Sequence, residues 1–140
     1  SRAAEEVLAQ YGLQQGVNAM KVYRDRVSSI HLLGKFYHHE YSALVLAPAT
    51  SNTVAKCVTG IADTLVTNIF AHAGKNRIAT VVLPCDTVDE TITSKAPGEI
   101  VEVKSRKIDL ENNHKLTSIE GVHVVLTPEE LARWLQRLNL

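Results

Sequence analysis

The chain has 140 residues, of which 45% are hydrophobic and 21% are charged, and these values are typical of one soluble globular domain. Fifteen basic side chains balance fifteen acidic ones, so the net charge favours neither nucleic acid nor an anionic membrane as a partner. Because the sequence shows no signal-peptide pattern and no apolar run of membrane length, we expect a single cytoplasmic domain over residues 1–140.

The first half of the chain predicts helices that alternate with strands. In chain order, the predicted elements are a helix over Ala3–Tyr11, a strand near Met20–Tyr23, a helix over Ser29–Glu40, a strand over Ala43–Ala47, and helices over Ser51–Thr59 and Asp63–Ala73. The strand "ALVLA", residues 43–47, is apolar throughout, which is typical of a parallel strand buried on both faces.

The second half continues this alternation. Its predicted elements are a strand over Ile78–Pro84, a loop over Asp86–Gly98, a strand over Glu99–Lys104, a helix beginning near Asp109, a strand over Gly121–Leu126 and a C-terminal helix. Thr127 and Glu130 predict a capping box at the start of that helix, with Pro128 at its first position. We expect Trp134 and Leu135 to anchor the helix in the core. Apolar strands separated by helices predict an α/β fold with a mostly parallel sheet that is covered on both faces.

Four short polar side chains, Thr50, Ser51, Asn52 and Thr53, follow the strand "ALVLA" directly. In open parallel sheets, ligands bind beyond the carboxyl ends of the strands. Backbone N–H groups and hydroxyls at such a position can hold a phosphate or a ribityl chain. Thr50 or Ser51 would serve equally well as a simple helix cap, and the spacing alone leaves both interpretations open.

The segment that contains these residues, "APATSNTVAKCVTGIADTLVTN", resembles the signature of the flavoprotein superfamily that includes the homo-oligomeric flavin-containing cysteine decarboxylases. That family has an "APA-T/S-A-N-T" turn followed by a "G-I-A/C-D-N/T-L" segment. "VVLPCD" falls where the family has its next strand and its flavin-facing loop. "RKIDLENNHKLTSIEGVHVVLTPEEL" resembles the C-terminal part of the branch that holds archaeal-type flavoproteins and flavin-dependent dihydromethanopterin reductases. The resemblance runs from Ser1 to about Leu131.

The resemblance implies a Rossmann-like three-layer fold, bound FMN, and trimers in which neighbouring subunits complete the flavin site. It implies that residues 50–53 line the flavin, that Ser1 approaches the phosphate or ribityl region, and that Cys85 and Asp86 flank the ring system. The implied activity is reduction of dihydromethanopterin, or a related dihydropterin, by hydride transfer from reduced flavin. The electron donor, a reduced nicotinamide or a redox protein, and the catalytic residues stay undetermined.

Two departures from the family pattern separate its branches. Phosphopantothenoylcysteine decarboxylases carry "PAMN" after the second strand, where this chain has Pro84, Cys85 and Asp86. A carboxylate at Asp86 would repel a carboxylate substrate, and Cys85 stands where flavin prenyltransferases have an arginine. Both chemistries are therefore disfavoured. An electron-transfer flavoprotein with a protein partner, and a structural subunit that binds no flavin, remain as alternatives.

The family begins with a strand, a phosphate loop and a helix that have no counterpart in this chain. Ser1 resembles the serine at the end of the family's second strand. We therefore expect roughly 30–40 preceding residues, about one βα unit and a strand, to be missing. Further residues are expected to be missing around Leu13–Val17 or Asp86–Lys95.

The remaining cysteine and the histidines of the helix over Ser29–Glu40 give little indication of a functional role. Cys57 is expected to be a small core residue. Three histidines, His31, His38 and His39, lie in one predicted helix without the spacing of a metal motif, so no metal site is expected. We expect the helices over Ser29–Glu40 and Asp63–Ala73 to form the subunit interface. In the second of these helices, the interface side chains would be Ile69, Phe70 and His72.

Overall fold

The computed structural model describes Tyr23, Asp25, residues 31–96 and residues 99–138. In chain order, its elements are α1 (His31–Tyr37), β1 (Ala43–Ala49), α2 (Ser51–Thr59), α3 (Leu65–Lys75), β2 (Ala79–Pro84), β3 (Thr91–Ala96), β4 (Glu99–Lys104), α4 (Lys107–Leu116), β5 (Val122–Val124) and α5 (Pro128–Arg137). The helix predicted over residues 3–11 and the Ser1 side chain lie outside the described residues, as does most of the strand predicted near residues 20–23.

A parallel sheet with the strand order β1-β2-β5 forms the centre of the described chain. Ala43 of β1 pairs with Ala79 of β2, and Thr80 of β2 pairs with Val122 of β5. Parallel neighbours need a crossover connection, and α2 and α3 supply the connection between β1 and β2. All three strands therefore end at the same edge of the sheet, and the polar turn after β1 begins at that edge.

The central strand β2 is buried on both faces, as its continuous apolar sequence predicts. Val81 and Val82 are 0% and 1% exposed, and successive residues of a strand point to opposite faces. The same prediction for β1 is wrong in the described structure, because β1 lies at the edge of the described sheet and its Val45 is 40% exposed. On one face, the core joins α2, α3 and α4 to the strands. Its buried members are Leu46, Ala49, Val54, Cys57, Phe70, Val82 and Leu116. Cys57 is a core residue as predicted, and burial raises the pKa of its thiol to about 11.

The segment over residues 86–98 was predicted to be a loop, and this prediction is wrong in its second half. β3 pairs antiparallel with β4, from Thr91 opposite Lys104 to Ala96 opposite Glu99. The two strands form a sheet of their own, separate from the parallel sheet. Because their backbone groups pair with each other, β3 can form without the apolar alternation that marks a strand packed on a core. The available signal in the sequence was its three consecutive β-branched residues, Thr91, Ile92 and Thr93.

The C-terminal helix α5 begins as predicted but packs less deeply than predicted. Thr127 Oγ1 accepts a hydrogen bond from the Glu130 N–H at 3.2 Å. The Glu130 carboxylate accepts from the Leu126 N–H at 2.7 Å, one residue before the expected partner. Trp134 is only half-buried, with its ring centroid 5.7 Å from that of His123, and no residue of α5 is fully buried. The three-residue strand β5 offers too little surface to bury the helix.

The helices expected at a subunit interface pack against each other, and their phenylalanines are not on the surface. Phe36 of α1 and Phe70 of α3 are buried, which corrects the prediction that Phe70 lies at an interface. Tyr37 remains 55% exposed, and its ring meets that of His72 edge-on with centroids 5.4 Å apart. Among the described residues, no helix combines the length and apolarity that crossing a bilayer requires.

Candidate functional site

The turn between β1 and α2 is held by its two threonines. Thr50 is the N-cap of α2, and its Oγ1 accepts a hydrogen bond from the Thr53 N–H at 3.3 Å. The two threonine hydroxyl oxygens lie 3.1 Å apart. The capping interpretation is therefore correct for Thr50. It does not account for Ser51 and Asn52, whose N–H groups lie in the first helical turn and have no intrahelical acceptor.

Asn52 is the residue of this turn whose side chain is available to bind a ligand. Its side chain is exposed and makes no hydrogen bond to any residue that the structure describes. A primary amide offers two donor hydrogens and an acceptor oxygen. Together with the Ser51 and Asn52 N–H groups, which bond to no acceptor among the described residues, the Asn52 amide forms a polar surface that can bind a ligand at the carboxyl edge of the sheet.

The loop after β2 is joined to the end of β1 and to the turn by two hydrogen bonds, and to α4 by a third. The Cys85 N–H donates to the Ala49 carbonyl oxygen at 3.0 Å, which continues the pairing of β1 and β2 beyond the strands. Ser51 Oγ donates to the Asp86 carboxylate, and Asn113 Nδ2 donates to the Asp86 carbonyl oxygen. The structure thus brings the predicted site residues of both loops together, while Ser1 lies outside the described residues.

Cys85 is the first residue of the loop after β2, and its side chain is exposed. Desolvation by neighbouring atoms, and to a smaller extent the charge of Asp86, raises the pKa of the Cys85 thiol above its ordinary value. Reactive cysteines are those whose pKa is lowered, because the thiolate is the nucleophile. The environment of Cys85 is therefore that of a neutral thiol and not of an activated nucleophile.

Sequence reasoning missed the contribution of α4. Asn113 contacts Asp86, which lies 27 residues earlier in the chain, and no local pattern marks this pairing. Arg106 is the N-cap of α4, and its guanidinium donates to both carboxylate oxygens of Asp109 at 2.7 and 2.9 Å. These hydrogen bonds lower the pKa of the Asp109 carboxyl group. The predicted start of α4 near Asp109 is confirmed to within two residues, since the helix begins at Lys107 and Asp109 is its third residue.

Within the described part of the chain, no group of three or more histidine, cysteine, aspartate and glutamate side chains is arranged to hold an ion. The polar groups of the site are hydroxyls, amides and one carboxylate. Hydroxyls and amides suit an organic ligand that offers both hydrogen-bond donors and acceptors.

The Flavoprotein family model matches residues 1–135 of the chain. A dihydromethanopterin reductase (acceptor) of Methanosarcina mazei is 43% identical, over 71% of this chain and 45% of the relative. The chain thus spans about half the length of that relative. A dihydromethanopterin reductase (acceptor) of Methanocaldococcus jannaschii is 37% identical, over 94% of this chain and 79% of the relative. That alignment covers 194 residues, more than the 140 of this chain, so the relative has internal residues without a counterpart here.

Among solved structures, Burkholderia xenovorans DmrB in complex with FMN, described as a cubic protein cage for redox transfer, is similar. Its TM-score is 0.84 at 44% identity, over 98% of this chain and 77% of that chain. Phenylacrylic acid decarboxylase from Aquifex aeolicus is 22% identical with a TM-score of 0.51, a likeness of fold alone. These comparisons confirm the predicted resemblance and the predicted Rossmann-like α/β fold.

Proposed function

Because the chain belongs to the Flavoprotein family, we propose that it is a reductase that binds FMN and reduces dihydromethanopterin or a related dihydropterin. The two relatives named dihydromethanopterin reductase and the FMN complex of DmrB support this proposal. The observation that carries it is the polar turn over residues 50–53, which lies at the carboxyl edge of a parallel sheet. Open α/β sheets bind ligands at this edge.

The groups of the turn fit the polar parts of FMN. The free N–H groups of Ser51 and Asn52 and the Asn52 amide can hydrogen-bond the isoalloxazine carbonyls or the ribityl hydroxyls. Thr50 and Thr53 hold the turn in place, and Ser1 is proposed to approach the phosphate or ribityl region. Cys85 and Asp86 are proposed to flank the ring system. In this proposal, the first turn of α2 supplies the hydrogen bonds to FMN, and the loop after β2 packs beside its ring system.

When bound, FMN supplies the hydride chemistry that reduces an imine carbon of a dihydropterin, and the protein supplies position and electrostatics. The Asp86 carboxylate contacts Ser51 of the turn, and at that position it would repel a carboxylate substrate. This charge favours reductase chemistry over decarboxylation. The electron-transfer alternative needs no pocket for a small substrate, and it differs from the proposal in what reoxidises the flavin.

The proposal predicts that the purified protein is yellow and that denaturation releases FMN, since the site offers hydrogen bonds and no covalent attachment is expected. Absorbance and mass of the released compound are the measurements. A colourless protein that FMN does not reconstitute would contradict the proposal and favour a structural subunit without flavin. The substrate is tested next, by anaerobic reduction of the bound flavin and mixing with dihydropterin. Rapid reoxidation supports the reductase, whereas indifference to pterin together with reoxidation by a redox protein supports electron transfer.

We further propose that neighbouring subunits, arranged as trimers, complete each flavin site. The supporting observations are the exposure of the Asn52 and Cys85 side chains, which no residue in the described part of the chain covers, and the cage described for DmrB. Closed symmetry lets each subunit both give and receive a cover. The exposed Tyr37 and Val66 of α1 and α3 are proposed as interface residues.

This arrangement predicts that flavin occupancy falls when the assembly dissociates, because water then reaches the flavin ring. Light scattering and flavin absorbance, measured together across a dilution series, are expected to decline in parallel. Tyr37→Ala should shift both curves to higher protein concentration, and Lys107→Ala, which alters an exposed residue of α4, serves as the control. A monomer that retains its full complement of FMN would overturn the proposal.

A further inference from the structure

Asn113 attaches the loop after β2 to a rigid helix. Its Nδ2 donates to the Asp86 carbonyl oxygen across 27 residues of chain. The helix that carries it, α4, is fixed at one end by Leu116, which is 1% exposed in the core, and at the other by the buried Asp109 cap. The donor atom of Asn113 therefore has little freedom to move, and it limits the positions that Asp86 can take.

Asp86 is in turn held on both sides, and its carboxylate faces Ser51. The preceding N–H, that of Cys85, donates to the Ala49 carbonyl oxygen at 3.0 Å, while Asn113 holds the Asp86 carbonyl oxygen. An ionised carboxylate can only accept hydrogen bonds, and a serine hydroxyl has one proton to donate. Because Ser51 Oγ donates this proton to Asp86, only the lone pairs of Ser51 remain for a ligand.

From this chain of contacts we infer that Asn113 is a positioning residue of the flavin site, which acts through Asp86 to fix the direction of the Ser51 hydroxyl proton. Ser51 Oγ then accepts a hydrogen bond from a donor of the flavin, either a ring N–H or a ribityl hydroxyl. The inference rests on the proposed function. It adds a residue whose hydrogen bond goes to Asp86 and not to the turn, and it gives Ser51 the role of acceptor.

A double-mutant cycle on the purified full chain tests this role. The proteins are the unaltered chain, Asn113→Ala, Asp86→Ala and the double variant, with His114→Ala on the exposed side of α4 as a matched control. Asp86→Ala keeps the backbone carbonyl, so the contact with Asn113 persists while the link to Ser51 is lost. Each protein is measured for its FMN dissociation constant, for the visible spectrum of bound FMN, and for its thermal unfolding midpoint without FMN.

We expect Asn113→Ala to raise the FMN dissociation constant about tenfold, the effect of losing one well-placed hydrogen bond. If the donor is a ring N–H, the variant should also shift the flavin absorption band, because hydrogen bonds at the ring tune its electronic properties; a ribityl donor predicts an unchanged band with the same loss of affinity. In the Asp86→Ala background, Asn113→Ala should change neither quantity. Any decrease in the unfolding midpoint caused by Asn113→Ala should be equal in both backgrounds, because it reflects the loop contact alone. His114→Ala should match the unaltered protein.

The possible outcomes separate the inference from the function on which it rests. An effect of Asn113→Ala on FMN binding that is the same in both backgrounds would mean that Asn113 does not act through Asp86, and would overturn the inference. Unchanged FMN binding with a lowered unfolding midpoint would reduce Asn113 to a structural residue. Failure of the unaltered protein to bind FMN would contradict the proposed function itself.

Discussion

Replacing Leu116 with alanine is expected to lower the free energy of unfolding by about 2–5 kcal/mol, the range found when a buried leucine is truncated. Leu116 is 1% exposed and lies in the core with Val54 and Val82. The cavity left by the change would border α2, α4 and β2, and the packing of these three elements positions the candidate site. Chemical denaturation, with the midpoint and the slope both fitted, measures the loss.

Leu126→Ala is the matched control, because Leu126 is 60% exposed and removal of the same atoms there leaves no cavity. Its free energy of unfolding should change by no more than about 0.5 kcal/mol, as for most surface substitutions. Similar losses in the two variants would show that α4 does not belong to the cooperative core. That result would also weaken the view that α4 provides a rigid support for Asn113.

Asn52→Ala is expected to weaken FMN binding by about 1–3 kcal/mol, the range for leaving a buried polar partner without its hydrogen bond. Without ligand, the Asn52 amide is exposed and makes no hydrogen bond to a described residue. The stability of the protein without FMN should therefore change by about 0.5 kcal/mol or less. Titration of the apoprotein with FMN, followed by flavin fluorescence, gives the affinity.

A second substitution, Asn52→Asp, distinguishes which part of the amide matters. It keeps the size of the side chain and an acceptor oxygen but removes both donor hydrogens. If Asn52 donates to the flavin, the aspartate variant should bind FMN at least as weakly as the alanine variant. Unchanged affinity in both variants would place Asn52 outside the flavin site and leave it as an ordinary residue of the first helical turn.

Local signals predicted the elements whose ends are set by neighbouring residues. The bounds of α2 match the prediction. Thr50 caps the start of the helix and the left-handed Gly60 follows its last residue, and both residue types are recognisable in the sequence. The bounds of β4 match as well. β3 was missed because a strand paired only within a hairpin needs no apolar face. Trp134 was placed too deep, since the depth of a side chain depends on how much sheet lies beneath its helix.

In the candidate site, too, residues that are adjacent in sequence could be predicted, whereas a contact between distant parts of the chain could not. Thr50, Ser51, Asn52 and Thr53 are adjacent in sequence, and their position after a strand was enough to identify the turn. Asp86 was expected at the same site only because the family resemblance implied it. The contact that holds Asp86 comes from α4, after an intervening hairpin, and a single sequence gives no spacing from which such a contact can be derived.

The contrast between the two cysteines makes the site accessible to chemical labelling without any mutation. Cys57 is buried and its thiol has a pKa of about 11, so it holds almost no thiolate near neutral pH and is shielded from reagents. Cys85 is exposed, and no other cysteine occurs in the chain. A maleimide dye or a spin label added to the folded chain after dissociation of the assembly and removal of FMN would therefore attach at Cys85, slowly at neutral pH and faster as the solution becomes alkaline. The attached probe would report on ligand entry at the loop that carries Asp86.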